Sequence, residues 1–83
     1  MNKEITIILN TIQKVKNFVT IVDKFESEID IISGRYICNA KSIMALFSLN
    51  LLMPLIVKIY SENKEEIESF NKVLEEFKYE CNS

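Results

Sequence analysis

The spacing of apolar positions switches between alternation and helical periodicity along the chain, and each switch marks an element. Ile5, Ile7 and Leu9 alternate with Glu4, Thr6 and Ile8, the period of a strand with one buried face. Asn10 and Thr11 stop that strand and favour a helix N-cap. From Ile12 the period becomes helical: Ile12, Val15, Phe18, Val19 and Val22 form a stripe, with Gln13, Lys14, Lys16, Asn17 and Asp23 opposite. This helix is predicted to run to about Lys24, with Phe25 closing the stripe. Alternation returns at Glu28, Ile29, Asp30 and Ile31 and leads to Ser33 and Gly34, the one glycine of the chain. A tight turn requiring positive φ is predicted there, with Arg35, Tyr36, Ile37 and Cys38 pairing back as the second arm of a hairpin. Leu55, Val57 and Ile59 alternate with Ile56, Lys58 and Tyr60 as a fourth strand behind Pro54. Ser61, Glu62 and Asn63 then introduce a last helix whose stripe is Ile67, Phe70, Leu74, Phe77 and Cys81.

Between the third and fourth strands lies Asn39 to Leu49, an apolar stretch behind a polar start. Ser42 reads as the N-cap of a short helix, since its oxygen can accept from free amides two and three residues on. Leu46 and Leu49 can point inward together, which leaves Ile43, Met44 and Phe47 mostly on another side. An exposed cluster beside a capping serine is a docking surface; a short helix in an apolar chain can also be wholly buried. Both readings stay open on periodicity alone. The order of elements is βαββαβα, an α+β fold with a four-stranded, mainly antiparallel sheet and helices packed on one face. A single domain spanning residues 1–83 is expected.

Composition narrows the function classes. An apolar share of 48% supplies a core, and a charged share of 27% supplies a solvated surface. The net charge of −2 hides an asymmetry: residues 1–60 hold seven Lys/Arg against five Asp/Glu (+2), residues 61–83 three Lys against seven Glu (−4). Neither half carries the basic field that nucleic-acid binding needs. The Glu65, Glu66 and Glu68 cluster reads as a solvated face matched to the helix dipole. Two distant cysteines, Cys38 and Cys81, and the absence of histidine leave no ligand set for zinc. They read as reduced thiols of a cytoplasmic protein, with a disulfide as the alternative. The run from Ile43 to Val57, interrupted by Asn50 and Pro54, is too short to span a bilayer. No metal, cofactor or membrane insertion is expected.

A βαββαβα chain of this length whose second helix opens with Asn39, Ala40, Lys41, Ser42, Ile43 and Met44 resembles HPr, the phosphocarrier family of the bacterial sugar phosphotransferase system. The resemblance covers essentially the whole chain. It is strongest from Lys24 and Phe25 through the Ser33–Gly34 turn, over Asn39 to Met44, and at Ser48 and Leu49. It implies that Ser42 matches an ATP-dependent regulatory phosphorylation site, and that Lys41, Ile43, Met44 and Phe47 contribute to binding of protein partners. An HPr-type serine kinase, enzyme I and transcriptional regulators are the partners so implied. The abundance of Ile, Lys and Asn fits an AT-rich bacterial genome.

One departure matters as much as the match. The family carries its phosphoryl group on a histidine at the start of the first helix, followed two residues later by an arginine. Aligned through Ser42 without gaps, Thr11 stands at the histidine position and Gln13 at the arginine position. A phosphocarrier needs a neutral nucleophile whose phosphorylated form transfers readily, which imidazole provides. A threonine hydroxyl without an adjacent base is a poor nucleophile, and Gln13 offers no fixed charge to clamp phosphate. The chain is therefore expected to be no enzyme and no histidine phosphocarrier, but a regulatory, protein-docking module with a phosphorylation site at Ser42. The alternatives are a phosphotransfer component with a hydroxyl acceptor, and a scaffold or oligomerisation module. A monomer is favoured, with the oligomeric state open.

Overall fold

A computed structural model describes residues 2–78 of the chain. Four strands, β1 (Asn2–Ile7), β2 (Glu28–Ser33), β3 (Tyr36–Asn39) and β4 (Leu55–Tyr60), form one sheet in the order β1-β4-β2-β3. Every neighbouring pair is antiparallel. The helices are α1 (Ile12–Val22), α2 (Ile43–Phe47) and α3 (Lys64–Val73), followed by a 3₁₀ turn over Glu75–Phe77. The expected α+β, βαββαβα architecture is therefore the observed one.

Register explains which sheet face is covered. Ile5 pairs with Val57, Ile7 with Leu55, Ile29 with Ile59 and Ile31 with Val57, so the alternating apolar residues of three strands share one face. Against it pack Val15, Phe18 and Val22 from α1, Leu46 from α2, Phe70 from α3, and Leu74 and Phe77 just beyond it, all buried. Two edge-to-face aromatic pairs link the helical layer: Phe18 with Phe77 at 5.9 Å between centroids, and Phe25 with Phe70 at 6.1 Å. On the other face Glu4 pairs across the sheet with Lys58, and Lys58 with Asp30. Lys58 also makes a 3.8 Å ion pair with Glu4 and lies over the Tyr60 ring.

The hairpin closes as the lone glycine predicts. Ser33 pairs with Tyr36 across a two-residue loop of Gly34 and Arg35, and Gly34 has φ +60°. Positive φ at the first central position alone is the type II′ pattern.

Several boundaries differ from those expected. β1 stops at Ile7, although Leu9 is buried beyond it. The Ile8 amide donates to the Phe77 carbonyl at 2.9 Å, and Ile7 bridges Lys78; the chain leaves the ladder with β4 there. α1 ends at Val22 rather than Lys24, capped by the Asp23 amide. Ile12, placed in the apolar stripe by its spacing, is 64% exposed: as first residue of the helix it sits at the end of the stripe, where nothing closes over it. α2 ends at Phe47, short of Leu49. The last apolar stripe is split, because α3 ends at Val73 and the 3₁₀ turn carries Phe77 inward. Cys81, the final position of that stripe, lies outside the described residues.

Candidate functional site

The site is built where α2 begins. Asn39 ends β3, its side-chain oxygen accepts from the Lys41 amide at 2.8 Å, and its carbonyl accepts from the Ser42 amide at 3.1 Å. This turn delivers Ser42 in extended conformation to the helix N-cap, where its oxygen accepts from the Ala45 amide at 3.4 Å. The bond is long for a cap. Ser42 is half-buried. The first turn of α2 carries no acidic side chain, so nothing within the helix answers the positive end of its dipole.

The apolar residues behind Ser42 separate by direction. Leu46 is fully buried and anchors the helix. Met44 is 78% and Phe47 42% exposed, both large apolar side chains facing solvent beside the cap. Ile43 is half-buried and packs against the core, so it does not share their exposure. Lys41 is turned away: its ammonium group donates to the Phe25 carbonyl in the α1–β2 connection. Its charge is spent on holding that loop rather than facing the Ser42 hydroxyl.

α1 lies against α2, and its own start is built in the same way. Thr11 is the N-cap, its oxygen accepting from the Lys14 amide at 3.1 Å. Gln13 is exposed and donates to the Asn17 side chain at 2.9 Å, one turn on. No acidic residue occupies this first turn either. Ile12, Leu52 and Met53 are further exposed apolar residues that periodicity alone did not single out. Leu52 and Met53 lie in the α2–β4 connection, where no repeating pattern exists to reveal exposure.

The sequence reading missed one polar cluster entirely. Glu66 is not part of a purely solvated acidic face. Its carboxylate accepts from the Ser27 amide at 3.2 Å, from the Ser27 hydroxyl, and from the Ser61 hydroxyl at 2.6 Å. The Ser27 hydroxyl, followed by that of Ser61, holds its carboxyl below the usual carboxylate range. Asn63 caps the same helix, accepting from the Glu65 and Glu66 amides at 2.9 and 3.3 Å. The cluster joins the α1–β2 loop to the start of α3 across 39 residues of sequence; only the fold brings Ser27 there.

Among the described residues no group of three His, Cys, Asp or Glu side chains is placed to hold a metal ion, and no helix is long and apolar enough to cross a membrane. Cys38 is half-buried, its thiol pushed up by that burial and then by Asp30.

Fold and site together define a small open-faced α+β protein, with one helix-covered sheet face and hydroxyl-capped starts on two adjoining helices, α1 and α2. Residues 12–78, more than half of the chain, match the family model described as the PTS HPr component phosphorylation site, so the chain belongs to the HPr family. Among solved structures, HPr-C-His from Thermoanaerobacter tengcongensis is similar at 28% identity and a TM-score of 0.65, covering 88% of this chain and 91% of that one. The phosphocarrier protein HPr from Bacillus anthracis shares the fold, with 22% identity, a TM-score of 0.67, and 88% and 90% coverage. A search of curated proteins finds no match.

Proposed function

We propose that this protein is a cytoplasmic, single-domain HPr-type regulatory module: it docks other proteins through the surface around Met44 and Phe47, and phosphorylation of Ser42 switches that surface. It is no histidine phosphocarrier and no enzyme. The observation that carries the reading is the pairing of a weakly capped serine with two exposed apolar neighbours, in an HPr-family chain of 83 residues without a histidine. Phosphate on Ser42 would add about two negative charges at a helix start whose first turn has no acidic side chain. There the free amides and the dipole favour it, so the fold is kept while the apolar face presented by Met44 and Phe47 gains negative charge beside it. Thr11 is read as the structural cap that its bond to Lys14 makes it, not as a phosphoryl acceptor. Ile43 supports the surface from below, and Lys41 steadies the adjoining loop.

Two assays run side by side test this. With ATP and an HPr-type serine kinase, the protein should gain one acid-stable phosphate, and Ser42→Ala should gain none. With phosphoenolpyruvate and enzyme I, it should gain no acid-labile phosphate. Acid-labile label on the wild type would overturn the first part of the proposal; no uptake from ATP would remove the switch.

A further inference from the structure

The two edges of the sheet differ. The outer edge of β1 is partly covered by the chain itself, through the Ile8–Phe77 hydrogen bond and the Ile7–Lys78 bridge. Among the described residues nothing pairs with the outer edge of β3. Proteins usually blunt such an edge with a very short strand, charge, proline or a bulge; β3 is short, but Tyr36, Ile37, Cys38 and Asn39 carry no charge, proline or bulge. The Ala40 amide donates to the Ile29 carbonyl at 2.9 Å. By antiparallel alternation, Tyr36 and Cys38 then bond inward to β2, while the Ile37 amide and carbonyl and the Asn39 amide point outward. Ile37 is 65% exposed. It ends a row on the open face that runs Thr6, Ile56, Ile32, Ile37 straight across the four strands.

We infer that the β3 edge pairs antiparallel with β3 of a second copy of this chain, about a twofold axis at Ile37. Only outward-pointing residues can exchange main-chain bonds, and centring on Ile37 lets it bond Ile37 of the second copy while the Asn39 amide lies opposite the Arg35 carbonyl. The apolar row then continues from one copy into the other. Charge selects a second copy over another extended segment. Asp30 is the cross-strand neighbour of Asn39, so Arg35 of each copy lies about two strand spacings, roughly 10 Å, from Asp30 of the other. An arginine and an aspartate together span that distance, and Arg35 makes no ion pair among the described residues. The symmetry forms this contact twice. One four-residue strand per copy falls short of the ~1,200 Å² of a standard interface, so the association is reversible and weak. It uses the sheet edge and leaves Met44 and Phe47 outward, and it does not rest on phosphorylation.

Sedimentation equilibrium of the full chain up to about 1 mM, the weak end of specific association, should show a reversible dimer. Ile37→Lys sets like charges directly opposite one another and should raise the dissociation constant by about tenfold or more, with an unchanged circular dichroism spectrum. In a C38S/C81S background, oxidation should cross-link I37C, because directly opposed bonded residues lie about 5.5 Å apart at Cα, within disulfide reach. E4C, on exposed Glu4 of β1 at the opposite edge of the sheet, should stay unlinked. A strict monomer at 1 mM, dimerisation of Ile37→Lys equal to the wild type, or cross-linking of E4C as fast as I37C would each overturn the inference.

Discussion

The starts of α3 and α2 use the same capping chemistry to opposite ends. At α3, Asn63 accepts two amides, and Glu65 and Glu66 supply negative charge in the first turn. Glu66 is then sealed by Ser27 and Ser61 from two other segments. At α2, Ser42 accepts one long bond, no acid follows it, and Met44 and Phe47 stand exposed behind it. The first end is satisfied by the chain itself. The second leaves its dipole unanswered, and it is there that the proposed phosphate on Ser42 would sit. A helix start completed internally is structural; one left incomplete on the surface has capacity for regulation.

The sealed end should be much the more sensitive to mutation. Phe70 is fully buried under Phe25, so Phe70→Ala should cost about 3–5 kcal/mol in urea unfolding. A loss under 1 kcal/mol would mean that this end is not the anchor. Next, Glu66→Gln should lower stability by about 1.5–3 kcal/mol at neutral pH, the range for hydrogen bonds to a charged group. Its folded pKa lies below its unfolded value, so the stabilisation is full above the unfolded pKa and is lost as pH falls through the folded one. The gap between wild type and Glu66→Gln should therefore close in acid; a pH-independent gap would assign the effect to packing instead.

At the open end the effects should be small. Ser42→Ala should cost no more than about 1 kcal/mol, the usual worth of a cap, since its bond is long. Met44→Ala should change stability by no more than about 0.5 kcal/mol, as exposed sites do, while weakening capture of a docking protein by titration calorimetry. A large loss of stability from Met44→Ala would move this residue from the docking face into the core.

Much of this was legible in the chain. Leu55 to Tyr60 was delimited as found, because Leu55, Val57 and Ile59 recur at every second position behind a proline. Gly34 announced its turn, since only glycine adopts φ +60° without strain. Ser42 and Thr11 announced their caps by residue type. What failed were inferences from periodicity about side chains at the ends of elements. Ile12 has the spacing of a core residue but no neighbour above it, and Ile43 was grouped with Met44 although it packs inward. The Glu65, Glu66 and Glu68 cluster looked uniform in sequence; Glu66 alone meets Ser27 and Ser61.

By itself, then, the sequence determined the order and type of the elements, the turn, the caps and the family, because these depend on local backbone preference and on apolar spacing within a few residues. The tertiary structure alone decided that Glu66 is sealed, that Lys41 is drawn to the Phe25 carbonyl, that Met44 and Phe47 face outward, and that β3 keeps an open edge. Those outcomes depend on which segments meet across the sheet, and no local pattern encodes a meeting between residues tens of positions apart.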